Sequence, residues 1–171
     1  SDAFRGKSAN GPYGDSVEEL DWSTGEILRA LRDHNLEDRT LVLWTSDNGA
    51  PRRNPPQGSN APLKGWGYDI SEGAMRVPCI VRWPGIVPAG AVSGELCTAM
   101  DLYPTFARLA GAPLPHDRRI DGRDIWPILS GQPGAASPHE AFLYYFGGQL
   151  QAVRSGPWKL YLPPERRLGA R

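Results

Sequence analysis

Sulfur chemistry is scarce in this chain, which has two cysteines, Cys79 and Cys97, in 171 residues. Two thiols allow at most one internal disulfide and match no metal-knuckle spacing, which excludes a disulfide scaffold and a zinc-finger arrangement. Both are expected as free, buried thiols, the usual state of a small hydrophobic side chain. Net charge is also missing: 19 basic residues stand against 19 acidic ones. Neither nucleic acid nor an anionic membrane is therefore expected as a bulk partner. No apolar run approaches the roughly 20 residues of a membrane span. The opening S-D-A-F-R-G-K-S lacks the apolar core of a signal peptide, and no asparagine lies in an N-x-Ser/Thr acceptor sequence. Glycine (20) and proline (17) are plentiful, so much of the chain is expected as loop.

The most informative stretch is Thr40–Gly49, T-L-V-L-W-T-S-D-N-G. Leu41–Trp44 is too short for a helix and reads as a strand buried on both faces. It stops in Asp47 and Asn48, two hard oxygen donors of the kind that Ca²⁺ or Mg²⁺ requires. In open α/β sheets ligands gather at the carboxyl ends of strands. Asn-Gly is also a hairpin signal, but the following A-P-R-R-N-P-P-Q-G-S-N-A-P cannot form the returning strand.

Upstream, residues 1–14 read as a loop. Asp15 and Glu18 resemble a capping box, and Val17, Leu20, Thr24, Ile27, Leu28 and Leu31 then recur at helical spacing. Gly25 suggests a close helix–sheet contact. The helix is expected to end near His34–Asn35, with His34 solvated, and to deliver the chain into the strand as the second half of a βαβ-like unit.

Downstream, the long irregular segment Ala50–Tyr68 carries Arg52, Arg53 and Lys64. Its cations either face an anionic ligand or are simply solvated. A second apolar run, V-P-C-I-V-R-W, follows Glu72 and Arg76, four residues apart and able to form an ion pair, on a backbone expected to be irregular, where spacing alone does not establish one. Leu96 to Ala110 shows helical periodicity, with its cap near Asp101–Leu102 and a stop at Gly111. One short helical piece is expected within Asp121–Gly131. His116 and His139 lie in proline-rich loops and read as surface residues. From Ala141 three strand-like runs, A-F-L-Y-Y-F, Q-A-V-R and W-K-L-Y-L, form an antiparallel meander. The closing P-P-E-R-R-L-G-A-R is polar.

Taken in order, Y-G-D-S-V-E-E-L-D-W, T-L-V-L-W-T-S-D-N-G, S-E-G-A-M-R-V-P, R-W-P-G, the D-L-Y-P-T helix and A-V-R-S-G-P-W-K-L-Y resemble the carboxyl-terminal portion of a type I sulfatase of the arylsulfatase family. The resemblance implies an α/β fold: residues 1–139 as part of an alkaline-phosphatase-like sandwich and 140–171 as the start of a small antiparallel subdomain. It implies that Asp47 and Asn48 are ligands of a Ca²⁺ ion and that a sulfated small molecule or glycan is the substrate. In that family the nucleophile is a formylglycine made from the cysteine of C-x-P-S-R. Neither Cys79 (C-I-V-R-W) nor Cys97 (C-T-A-M-D) matches that motif, so the chain is expected to be a piece of a longer enzyme and inactive alone.

The family's substrate lysine falls in the column of Gly67 here; Lys64, three residues earlier, either reaches the same sulfate on its long stem or matches a basic residue that commonly precedes the family's lysine, and Ala74 replaces a glycine of the family's E-G-G. Family members are commonly periplasmic, secreted or lysosomal. Two other readings remain at this point: a phosphodiesterase or phosphonate-ester hydrolase of the same superfamily, and a non-catalytic pseudoenzyme or binding module.

Overall fold

The computed structural model of the chain describes residues 1–55 and 57–163. The polar carboxyl-terminal tail from 164 onward therefore lies outside the described residues. Helix α1 spans Gly11–Asp33 and a 3₁₀ turn, Glu37–Arg39, links it to strand β1, Val42–Thr45. Irregular chain then runs to the short helix α2, Glu72–Met75, and strand β2, Cys79–Arg82. A 3₁₀ turn, Ala99–Asp101, leads into α3, Leu102–Leu109, and α4 covers Trp126–Leu129. The meander follows as β3, Phe142–Phe146, β4, Gln149–Ser155, and β5, Trp158–Tyr161.

The helix begins earlier than its sequence pattern predicts, with Pro12 in its first turn, where a missing N–H costs nothing. Asp15 is consequently inside α1 and does not cap it. Its carboxylate accepts the N–H groups of Gly6 (2.7 Å), Lys7 (3.0 Å) and Ser8 (2.8 Å), folding the entering loop back on the helix. Those bonds, from Ser8 and Gly6 above all, hold the carboxyl below its ordinary range. The other end is as expected, with His34 exposed and Asn35 in the left-handed region at φ 53°.

The sheet around β1 differs from the expectation. Its partner is β2, antiparallel, in the register Val42↔Arg82, Leu43↔Val81, Trp44↔Ile80 and Thr45↔Cys79. β1 is half-buried rather than enclosed on both faces. An open groove of about 250 Å³ lies between α1 and the strands, lined by Leu28, Val42, Trp44 and Ile80 among others. The α1 stripe is correspondingly uncovered: Leu20 is 55% and Ile27 60% exposed. Gly25 meets nothing within 4 Å, so the close contact expected there is absent. An apolar run predicts enclosure only when a layer is present on each side, and the described residues supply part of one. The two cysteines follow suit: both are free but exposed, not buried.

The carboxyl-terminal sheet has the order β3-β4-β5, antiparallel throughout, with a bulge at Tyr144–Tyr145. The few fully buried apolar side chains sit toward this end: Ala74, Ile125, Tyr144 and Ala152. β2 is tied back to the 3₁₀ turn before β1 by Arg82–Glu37 (2.8 Å) and by the Trp83 indole N–H on the Asp38 carbonyl (2.8 Å).

Candidate functional site

Strand β1 ends by releasing Asp47, exposed, and Asn48, half-buried. The turn that holds them is built from their own polar atoms. Asp47 Oδ1 accepts the N–H of Asn48 at 2.9 Å, and Ser46 Oγ donates to the Asn48 carbonyl at 3.0 Å. Asn48 Nδ2 donates to the Gly49 carbonyl at 2.8 Å, which leaves its Oδ1 without a partner among the described residues. One polar atom of each side chain, Asp47 Oδ1 and Asn48 Nδ2, is thereby fixed in local bonding, and one oxygen of each, Asp47 Oδ2 and Asn48 Oδ1, is left to accept.

Two further segments close on this turn. Gly49 N–H donates to the Ala74 carbonyl (2.8 Å), Gly67 N–H to the Ala50 carbonyl (2.9 Å), and Gly73 N–H to the Lys64 carbonyl (2.8 Å). Asn60 acts as the hub: its Oδ1 accepts Ala50 N–H at 2.7 Å and its Nδ2 donates to the carbonyls of Ala50 (2.9 Å) and Gly65 (3.1 Å). The approach is so close that a Cβ on Gly49 would overlap the Gly73 carbonyl, and one on Gly67 the Gly49 carbonyl. Glycine is required at both positions for lack of space. Asn48 Nδ2 also lies beside Gly67, so the 47–48 turn and the loop bearing Lys64 adjoin. Lys64, Arg52 and Arg53 are all exposed.

Behind this loop stands Glu72 at the start of α2. The i,i+4 pairing with Arg76 is a marginal 4.0 Å. Its closer partners come from the carboxyl-terminal sheet: Arg154 Nη1 (2.8 Å) and Lys159 Nζ (2.9 Å), with Tyr144 Oη donating at 3.2 Å. Lys159 Nζ also donates to the Ile70 carbonyl and lies 3.6 Å from the centroid of the Tyr144 ring. Burial disfavours the charged carboxylate, but the Lys159 hydrogen bond and charge, with Arg154 behind them, outweigh it and hold Glu72 below its ordinary range. Sequence spacing offered no signal for these partners, which are more than 70 residues away.

A second polar knot was also missed. Asp101 is wholly buried and accepts Thr98 N–H (2.6 Å), Arg123 N–H (2.8 Å) and a hydrogen bond with His139 Nε2 (2.7 Å). His139 is therefore half-buried and paired, not the surface residue expected, whereas His116 is exposed. T-A-M-D at 98–101 is the spacing of a capping box, a legible signal for Asp101 that names one of its partners. No group of three or more His, Cys, Asp or Glu side chains able to hold a metal occurs among the described residues.

Comparison with known proteins bears on this arrangement. The Sulfatase family profile matches residues 4–112. Steryl-sulfatase from Mus musculus is 47% identical over 168 residues, covering 92% of this chain and 27% of that protein. N-acetylgalactosamine-6-sulfatase from Canis lupus familiaris is 44% identical over 160 residues, covering 92% and 30%. The PsFucS1 sulfatase from Pseudoalteromonas sp. superposes with a TM-score of 0.85 at 29% identity, over 93% of this chain and 32% of that one. The chain thus spans about a third or less of the relatives it matches. The α/β fold expected, an alkaline-phosphatase-like part followed by a small antiparallel sheet, is the one these neighbours share. On the profile match over most of its length and on this shared fold, the chain belongs to the sulfatase family.

Proposed function

We propose that this chain supplies the metal-binding rim of a sulfate-ester hydrolase, with Asp47 and Asn48 as ligands of a Ca²⁺ ion. The observation that carries the reading is the turn after β1. It leaves one oxygen on each side chain free, with Asn48 lying beside Gly67 on the loop of Lys64. The donor set fits part of a site: two hard oxygens against the roughly six to eight that Ca²⁺ takes. The remaining ligands, and the formylglycine nucleophile, belong to a part of the enzyme with no counterpart in this sequence. When bound, the ion would act as a Lewis acid toward the sulfate oxygens.

In that enzyme the chain's own residues bind and orient. Asp47 contributes a full negative charge and Asn48 a neutral carbonyl oxygen. Lys64, three positions from the family's lysine column, would meet the sulfate as a flexible point charge. Asn60 and the glycine contacts hold the loop so that little ordering remains to be done on binding. The substrate is a sulfated small molecule or glycan. Relatives of similar identity carry the names of a steryl and an N-acetylgalactosamine-6-sulfatase, so identity alone does not choose between a sterol and a sugar. Residues 1–139 would form part of the catalytic domain and 140–171 the start of its carboxyl-terminal subdomain.

One observation favours a second, non-catalytic reading: the family's lysine column is Gly67, where this backbone has no room for a side chain. Both readings meet in one experiment. The 171-residue chain alone should not turn over 4-nitrophenyl sulfate and should bind Ca²⁺ no tighter than about 1 mM. Supplied with the amino-terminal part of a sulfatase carrying processed C-x-P-S-R, it should gain turnover that Asp47→Ala abolishes. Turnover by the chain alone overturns the partial-site reading, and no turnover after assembly favours the non-catalytic one.

A further inference from the structure

Two aromatic side chains stand out beside the 47–48 turn. Trp66 is 36% and Tyr68 68% exposed, and they flank Gly67, the residue packed against Gly49 and Asn48. Tyr68 has φ 77°, in the left-handed region that a side chain of this size rarely adopts. Strain of that kind persists where the surroundings impose it, often at ligand sites. The surroundings here are explicit. Gly67 N–H is tied to Ala50 on one side of Tyr68, and on the other the Asp69 carboxylate accepts the Ser71 N–H at 2.6 Å. The ring is held out to solvent by a loop that is fixed at both ends. Among the described residues burial therefore does not account for either aromatic, and glycine would suit the backbone at 68 better than tyrosine does.

The structure points to a use for them: we propose that Trp66 and Tyr68 are specificity-determining residues that stack on the ring of the sulfated substrate, the reading above supplying the sulfate end of that site. Rigid aromatic side chains give large contact area at small entropic cost. A sulfate ester drawn toward the 47–48 turn and the cations of the 52–64 loop would present its parent ring to the adjoining segment. The shared chemistry recognised is the apolar face of a ring, whether the C–H face of a sugar or a flat hydrocarbon.

The test is an NMR titration of the isotope-labelled 171-residue chain with galactose 6-sulfate, with 4-nitrophenyl sulfate, with their unsulfated parents and with inorganic sulfate. Ligand ring protons should give intermolecular NOEs to the Trp66 indole and the Tyr68 ring, and the stronger of the two organic sulfates identifies the ring type. Tyr68→Gly and Trp66→Leu should each weaken ring binding about two- to tenfold, and Tyr68→Phe should leave it unchanged. Because glycine accepts φ 77° freely, Tyr68→Gly should melt at or above the native temperature, so lost binding cannot be lost folding. Absence of these NOEs, or ring affinity unchanged in both variants, overturns the proposal. So does an equal loss of affinity for inorganic sulfate in Tyr68→Gly. Equal binding of sulfated and unsulfated rings at Trp66 and Tyr68 would uphold the stacking while counting against the sulfate-ester reading.

Discussion

The two ends of this molecule are held together in opposite ways. At the amino-terminal end α1 carries an apolar stripe over a half-covered strand pair, yet Leu20, Ile27 and Ile80 remain more than half exposed. Toward the carboxyl-terminal end two carboxylates, Glu72 half-buried and Asp101 wholly buried, each collect several donors, most of them from distant segments. The contrast teaches that apolar area and structural importance are separate matters within this chain. The apolar face has few neighbours to lose, whereas each polar knot joins three or more segments, so removal of one side chain leaves several orphaned groups.

The sharpest break of that comparison is Asp101→Ala. It would strand the N–H groups of Thr98 and Arg123 and the His139 ring, at about 3–5 kcal/mol in sum. Urea unfolding should show a greatly lowered midpoint or no cooperative transition. A shift smaller than that of an ordinary surface change would show the knot to be dispensable. Glu72→Ala comes next. Loss of charge-assisted bonds to Arg154 and Lys159 should cost about 2 kcal/mol and free the carboxyl-terminal sheet to exchange its amide protons faster. Since Glu72 is depressed from its ordinary 4.5, its contribution is complete above that value and disappears as pH falls through the lower folded pKa. The pH dependence of the native chain in that acid window should therefore be steeper than that of Glu72→Gln.

Gly67→Ala follows, with an overlap at the Gly49 carbonyl costing about 1–3 kcal/mol; a neutral result would mean that the loop yields. The smallest effect is expected from the double change Leu20→Ser, Ile27→Ser, within about 0.5 kcal/mol per site in the chain alone. The same change should hurt once the chain is joined to the remainder of a sulfatase domain. The thiols give a last, slow readout. Loss of solvent around the sulfur, with the negative charge of Asp101, pushes the Cys97 thiol up to about 11, so Cys97, although exposed as a residue, should react sluggishly with a disulfide reagent at pH 8.

Most of the regular structure is visible in local pattern. The spacing from Val17 to Leu31, Asn35 as a left-handed stop, the run before Asp47 and the glycine turns of the meander each act within a few residues. What escaped detection is long-range. Nothing around Glu72 distinguishes Arg76, four residues on, from Arg154 and Lys159, because a carboxylate's choice among cations is settled by the tertiary fold. The same holds for Asp101 and His139, 38 residues apart. Local pattern misled where a neighbour was assumed: Asp15 has the spacing of a cap but spends its oxygens on the loop behind it, and Leu41–Trp44 has the composition of an enclosed strand without two enclosing layers. At the site, Asp47 and Asn48 are legible as oxygen donors at a strand end. The exclusion of any side chain from position 67 is not, since it depends on a backbone met only in space.

The bond from the Gly49 nitrogen to the Ala74 carbonyl also bears on chemical ageing. In Asn-Gly sequences that nitrogen attacks the side-chain amide carbon of the asparagine, expelling the side-chain nitrogen as ammonia and closing a succinimide that hydrolyses to aspartate or isoaspartate. Here it is engaged at 2.8 Å and the Asn48 amide is turned toward the Gly49 carbonyl, so the folded chain should keep its asparagine far longer than a peptide of the same sequence. The slow appearance of isoaspartate at position 48 would then serve as a clock for how often this turn opens.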